Sequence, residues 1–183
     1  MSQLILITGG VRSGKSRYAL TLAKQWPKAP KCFIATAEPF DEEMKSRISR
    51  HQSERGEDFF TLEEPVQIGK ILKKAQSQYA FILIDCLTVW VNNLLFRFPS
   101  SPDQIRGEME AFVEAVKLRQ TDLCLVTNEI GWGMVPDNPL ARRFADQLGV
   151  LNQQLSELCD EVILMISGTP LSIKGVRHAQ LGV

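Results

Sequence analysis

The stretch LILITGGVRSGKS, Leu4 to Ser16, decides how this chain folds. Its first half, LILIT over Leu4–Thr8, is a short unbroken apolar run rich in β-branched residues, the pattern of a strand buried on both faces. Its second half, GGVRSGKS over Gly9–Ser16, satisfies G-x-x-x-x-G-K-[ST] and opens a segment with helical spacing, Lys15–Trp26. A strand, a glycine-rich turn and a helix in that order aim a row of backbone N–H groups and a positive helix start at one anion, as the phosphates of a nucleotide require. Gly9, Gly10, Val11, Arg12, Ser13, Gly14, Lys15 and Ser16 are therefore expected to bind nucleotide. Lys15 brings a point charge to the β and γ phosphates, and Ser16 offers its hydroxyl to Mg2+. Arg12 reads either as a phosphate contact or as a surface pair.

Outward from this loop, similar apolar runs follow at CFIAT (Cys32–Thr36), FILIDC (Phe81–Cys86), LCLVT (Leu123–Thr127) and VILMIS (Val162–Ser167), with FFTL (Phe59–Leu62) as one further short strand. Helical spacing occupies Glu42–Arg55, Val66–Gln78, Asp103–Leu118 and Ala141–Leu158. Strands alternating with helices call for right-handed crossovers. The expected fold is α/β: a P-loop NTPase-type, doubly wound, mostly parallel sheet with helices on both faces. RFPSSPD (Arg97–Asp103) reads as a loop and not as an interdomain linker, and no repeat or low-complexity segment is present, so residues 1–183 are expected to form a single nucleotide-binding domain. The amphipathic segment Leu87–Phe96 reads either as a contact surface or as ordinary core packing.

The 183 residues suffice for one domain with a proper core, and 44% hydrophobic content suits a globular chain. Lysine plus arginine and aspartate plus glutamate each total 21, for a net charge of zero. No broad basic field therefore draws in nucleic acid or an anionic membrane, and any anion must be captured locally. MSQLILITGG is too short an apolar run for a signal peptide, and no apolar span reaches transmembrane length; a cytoplasmic protein is expected. Cys32, Cys86, Cys124 and Cys159 lie far apart, in or beside apolar segments, with no CxxC or Cys/His cluster, and read as buried reduced thiols.

A magnesium-bound triphosphate also needs a carboxylate at the end of a neighbouring strand, and FILIDC supplies Asp85. An acid after four apolar residues is costly to bury without a partner, so Asp85 is expected to face the metal or its water shell; the alternative is a cap on the following helix. LCLVT leads to Asn128 and Glu129, then to the glycine- and proline-rich GWGMVPDNP (Gly131–Pro139). Ligands of open α/β sheets sit beyond the carboxyl ends of the strands, which puts this loop on the active face. Glu129 reads as a base or metal-shell group or as a structural hydrogen-bond partner. Trp132 and Met134 read as an apolar wall or as closure of the core. TNEIG lacks the Asn-Lys-x-Asp signature by which signalling GTPases select guanine, which disfavours that class.

The two histidines are His51 and His178. From Asp41 onward Met44, Ile48 and His51 fall at i, i+4 and i+7, one stripe of a helix, while Glu42, Glu43 and Lys45 lie largely off it. With Met44 and Ile48 packed inward, His51 turns toward the body of the protein. Neutral imidazole is a competent nucleophile near neutral pH, and its attack on phosphorus yields a phosphoramidate that transfers readily. On the residues alone, a packed or hydrogen-bonded core histidine competes with that role.

TGGVRSGKS, IATAEPFDEEMKSRISRHQSERG, IDCLTVWVNNLL and VTNEIGWGMVPDNPLARRF, in that order, resemble the bifunctional adenosylcobinamide kinase / adenosylcobinamide-phosphate guanylyltransferase family of cobalamin synthesis. The likeness runs through nearly the whole chain, and DEEM-x-x-RI-x-x-H and TNE-x-G-x-G-x-VP are far more specific than the phosphate loop alone. It implies that His51 accepts GMP from GTP and that Lys15 serves the phosphoryl transfer. It further implies that Ala35, Thr36, Ala37, Gln52, Ser53, Glu54, Arg55 and Glu63 help hold the guanine nucleotide, with Asp85 as the metal-side carboxylate. Adenosylcobinamide, adenosylcobinamide phosphate, ATP and GTP are the implied substrates, Mg2+ the implied cofactor and a homotrimer the implied assembly. Arg50 stands where some relatives carry a second histidine, and His178 matches no motif of the family. Competing readings are a small-molecule kinase without nucleotidyl transfer, a nucleotide-switched binding module, and a relative that transfers only the guanylyl group.

Overall fold

The computed structural model describes residues 2–39, 42, 45, 49, 52 and 56–175. Inside its sheet lies β1 (Leu4–Gly9), between β5 and β6 and buried along its whole length. Such a strand needs cover on both faces and a partner on each side. The sheet has seven strands in the order β3-β2-β4-β5-β1-β6-β7, formed by β2 (Lys31–Ala35), β3 (Phe60–Glu63), β4 (Phe81–Asp85), β5 (Asp122–Val126), β6 (Glu161–Ile166) and β7 (Thr169–Lys174). Every pairing is parallel except β6 with β7. The doubly wound, mostly parallel α/β fold expected from the sequence is the fold observed.

Alternate residues of the strands face opposite cores. Ile5 and Ile7 of β1, with Leu83, Val126 and Ile163, pack against Tyr18, Ala19, Leu22 and Ala23 of α1 (Lys15–Gln25), joined by Trp26 and Phe59. Leu4, Leu6, Ile34, Ile82 and Ile84 face the other way, toward α2 (Ile68–Ala75), α3 (Leu87–Arg97), α4 (Pro102–Lys117) and α5 (Pro139–Leu158). Element limits differ from the sequence reading by only a few residues. Glu42, Lys45, Ser49 and Gln52, the described residues of the expected Glu42–Arg55 helix, are helical. Leu87, Trp90, Val91, Leu94 and Leu95 are buried, so the Leu87–Phe96 segment is core packing, with Phe96 exposed.

The sequence reading missed β7. TPLSIK is mostly exposed on an edge strand, so it lacks the apolar run by which the other strands announce themselves. Its hairpin with β6 turns through Ser167 (φ 50°) and Gly168 (φ 84°), with Ile166 paired to Thr169, a two-residue turn of the type that matches strand twist.

At the amino ends of the strands, the buried Asp122 side chain accepts from Gln3 N–H (2.8 Å) and Trp26 Nε1 (2.9 Å) and pairs with Lys28 Nζ (2.8 Å). Burial pushes its carboxyl up, but the hydrogen bonds from Lys28, Gln3 and Trp26 and the Lys28 charge outweigh it and hold the group below its ordinary value. Cys32, Cys124 and Cys159 are buried thiols, as expected, while Cys86 is half-buried. Burial pushes Cys32 and Cys159 up to about 12, so neither offers a reactive thiolate. Among the described residues no helix is long and apolar enough to cross a membrane.

Candidate active site

β1 delivers the chain to the phosphate loop at its carboxyl end. Gly9 has φ 144°, and a Cβ there would lie 2.4 Å from Met165 O of the neighbouring strand, so only glycine fits. The loop closes through Ser13 N–H to Gly10 O (3.3 Å) and joins α1 through Tyr18 N–H to Gly14 O (2.9 Å). The β6–β7 turn braces it from outside: Gly168 N–H donates to Ser13 O at 3.0 Å. Lys15, although only 7% exposed, donates through Nζ to Gly10 O (2.5 Å) and Ser13 Oγ (3.4 Å). The ammonium thus already lies across the loop, where a phosphate oxygen can take over from the carbonyl. Ser16 is half-buried in the first turn of α1, which carries no acidic residue. Anion binding at that helix start meets no opposing charge from its own first turn. Arg12 (φ 56°) and Val11 are exposed, and Arg12 has no surface partner among the described residues.

Three further residues expected at the nucleotide meet across adjacent strand ends. Ala35 of β2 is in register with Glu63 of β3 on one side and with Asp85 of β4 on the other. Asp85 in turn is in register with Val126 of β5, the strand beside β1. The N-cap of α3 is Cys86, so Asp85 does not occupy the capping position that was its alternative. Thr36 ties the segment after β2 to β4: its Oγ1 donates to Cys86 O (2.8 Å) and accepts from Cys86 N–H (3.0 Å). Glu64 N–H donates to Ala35 O at 2.9 Å. Gln52 reaches Glu63 at the end of β3, Nε2 to Oε1 at 3.4 Å. Ala37 is half-buried just beyond Thr36. His51, Ser53, Glu54 and Arg55 lie outside the described residues, as do Met44, Ile48, Arg50 and His178.

The connection after β5 borders the phosphate loop directly. Glu129 N–H donates to Gly9 O (3.1 Å), and its carboxylate Oε1 accepts from Thr8 Oγ1 (2.9 Å) and Asn152 Nδ2 (3.4 Å). Trp132 is 72% exposed and Met134 96% exposed, which eliminates core closure for both.

Three structural supports were missed by the sequence reading: Asn93, Asn152 and the Ser167–Gly168 turn. Asn93 is buried in α3, and its Nδ2 donates to Thr36 O (2.7 Å) and Pro65 O (3.1 Å), stitching together the segments that follow β2 and β3. An asparagine inside an apolar helical run, as in VWVNNLL, is the signal that a buried polar group has a fixed duty there. The Ser167-Gly168 pair that closes the VILMIS run is likewise a turn signal.

Comparison with known proteins agrees with this geometry. Residues 5–173 match the family described as cobinamide kinase / cobinamide phosphate guanyltransferase. The chain is 40% identical over 170 residues to the bifunctional adenosylcobalamin biosynthesis protein CobP of Pseudomonas aeruginosa, covering 93% of this chain and 96% of that one. It is 36% identical over 182 residues to the bifunctional adenosylcobalamin biosynthesis protein CobU of Escherichia coli, covering 93% and 99%. Against the CobU of Salmonella typhimurium it is 37% identical over 182 residues, again covering 93% and 99%. Among solved structures, a prototypical ATPase of the type III secretion system of pathogenic bacteria superposes with a TM-score of 0.56 at 11% identity, over 88% of this chain and 50% of that one. A protein of Pyrococcus horikoshii OT3 superposes with a TM-score of 0.55 at 8% identity, over 96% and 87%. These two likenesses concern the fold alone.

Proposed function

The chain belongs to the cobinamide kinase / cobinamide phosphate guanyltransferase family of cobalamin biosynthesis, and from that premise we propose that it performs two group transfers at the carboxyl edge of its sheet. In the first, the terminal hydroxyl of adenosylcobinamide attacks the γ-phosphorus of ATP or GTP, giving adenosylcobinamide phosphate. In the second, His51 attacks the α-phosphorus of GTP, pyrophosphate departs, and the GMP held on the imidazole passes to adenosylcobinamide phosphate to give adenosylcobinamide-GDP.

The observation that carries the reading is the phosphate loop, with Lys15 folded across it, on the same sheet edge as Glu63, Ala35 and Asp85 in register. Lys15 and the loop N–H groups, aimed at the phosphates, stabilise charge on the transferring group, so that positioning supplies most of the catalysis. Ala35, Thr36, Ala37, Gln52 and Glu63, with Ser53, Glu54 and Arg55, hold the guanine nucleotide. Mg2+ suits the donors present: the Ser16 hydroxyl and the Asp85 carboxylate are hard oxygen ligands, and two protein donors suffice for an ion that phosphate oxygens and water otherwise surround. When bound, it neutralises charge on the phosphates. The same reading carries a cytoplasmic protein assembled as a homotrimer, and light scattering of the purified protein checks the assembly.

The deciding experiment incubates the protein and its His51→Ala variant with GTP labelled at the α-phosphate, followed by denaturing electrophoresis. Acid-labile label on the wild-type chain and none on the variant is the expected result. No label on either, with cobinamide still phosphorylated, reduces the protein to a kinase.

A further inference from the structure

We propose that Glu129 takes the proton from the acceptor hydroxyl during phosphoryl transfer, a role that rests on the kinase half of the reading above. Three observations meet at this residue.

The first is position. Glu129 follows β5, and its backbone N–H donates to the carbonyl of Gly9, the first residue of the phosphate loop, at 3.1 Å.

The second is how the carboxylate is held. Oε1 accepts from Thr8 Oγ1 at 2.9 Å and Asn152 Nδ2 at 3.4 Å. Asn152 is itself buried and fixed, since its Oδ1 accepts from Thr127 Oγ1 at 2.8 Å and its Nδ2 donates to Asn128 O at 3.0 Å. One oxygen is therefore clamped, while Oε2 takes neither hydrogen bond nor ion pair among the described residues. Structural need does not explain the charge, because a neutral glutamine would accept the same two bonds. Next to a polyphosphate site an unpaired carboxylate costs affinity by like-charge repulsion, so its presence there fits a task that needs a base.

The third is the chain that follows. Trp132 (72% exposed), Met134 (96%) and Val135 (77%) present apolar surface on the same connection. Such exposed apolar surface beside the phosphate loop suits contact with a bulky organic acceptor.

In the step, the acceptor O–H bond breaks and its proton passes to Oε2 of Glu129. The hydroxyl oxygen bonds to the γ-phosphorus, and the bond from that phosphorus to the β–γ bridging oxygen breaks. Its electron pair leaves with the nucleoside diphosphate, whose charge Lys15 and the loop amides stabilise.

The test compares wild type, Glu129→Gln and Glu129→Ala. It measures adenosylcobinamide-dependent release of nucleoside diphosphate, thermal unfolding, and covalent labelling by GTP labelled at the α-phosphate. Glu129→Gln is expected to lower kcat about 100- to 1000-fold, while KM for the nucleotide, labelling and unfolding stay at wild-type values. Wild-type kcat in Glu129→Gln, with loss of stability confined to Glu129→Ala, overturns the proposal in favour of a structural acceptor. A raised KM for Mg-nucleotide together with loss of labelling overturns it in favour of the metal shell. Wild-type protein that releases no diphosphate on addition of adenosylcobinamide overturns the kinase reading itself and this role with it, an outcome distinct from the other two.

Discussion

At the phosphate end of the site, Gly9–Ser16 close largely through their own contacts: Lys15 onto Gly10, Ser13 onto Gly10, and Tyr18 just beyond onto Gly14. At the nucleoside end, Thr36 meets Cys86 across 50 positions of sequence, and Asn93 joins Thr36 to Pro65 across 57 and 28. One end is a motif that the chain makes locally, with the β6–β7 turn as a brace. The other exists only once the whole sheet has assembled. The two ends should therefore fail differently when broken.

The largest effect is expected at Gly9. A methyl group there meets the backbone oxygen of Met165 at 2.4 Å, which no rotamer change relieves, and alanine is also strained at φ 144°. Gly9→Ala should lose about 3 kcal/mol of stability in urea unfolding and displace the loop from β6. Tripolyphosphate binding, followed by calorimetry, should then weaken together with GTP binding. Retention of tripolyphosphate affinity would show that the brace from β6 is dispensable and the loop wholly self-sufficient.

Asn93→Ala attacks the other end. It removes both donors from Thr36 O and Pro65 O, at a cost of about 1–3 kcal/mol for buried carbonyls left without partners. GTP affinity should fall roughly tenfold as the clamp loosens, a loss of about 1.4 kcal/mol, while tripolyphosphate affinity stays unchanged. A parallel loss of both would mean that the two ends are coupled through the sheet and that the contrast between them is false. Asn93→Asp sharpens the test, because a carboxylate oxygen facing two carbonyls should do more damage than a deletion.

The same contrast explains what was legible in the sequence. Buried strands announce themselves by apolar runs, and the phosphate loop by spacing, because both patterns are set within a dozen residues. That was enough to obtain the doubly wound sheet, α1 and the loop. Edge strand β7 has no buried run and was invisible. The alignment of Glu63, Ala35 and Asp85 depends on the register of three strands, which no local pattern encodes; Asp85 is legible as the acid that ends an apolar run, while Ala35 and Glu63 come from the family resemblance. Glu129 is visible as a strand-end acid, but the bonds by which Thr8 and Asn152 hold it join distant parts of the chain and have no local signature.

The smallest effect belongs to a residue at the opposite end of the sheet, which separates loss of stability from loss of site. Asp122 begins β5 and accepts from Gln3, Trp26 and Lys28, far along the strand from Val126 beside Asp85. Its folded-state pKa is lowered, so its contribution is fully present above the unfolded value of about 3.9 and is lost as pH falls through the folded value. Asp122→Asn should thus cost about 1–2 kcal/mol near neutral pH, with the Lys28 share discounted because that side chain is 57% exposed. The gap between variant and wild type, read from urea midpoints across the acid range, should narrow below about pH 4. GTP and tripolyphosphate affinities at neutral pH should both stay at wild-type values. If either moved, stability lost anywhere in the sheet would reach the site, and the separate failures predicted for Gly9 and Asn93 would reflect general loosening in place of local construction.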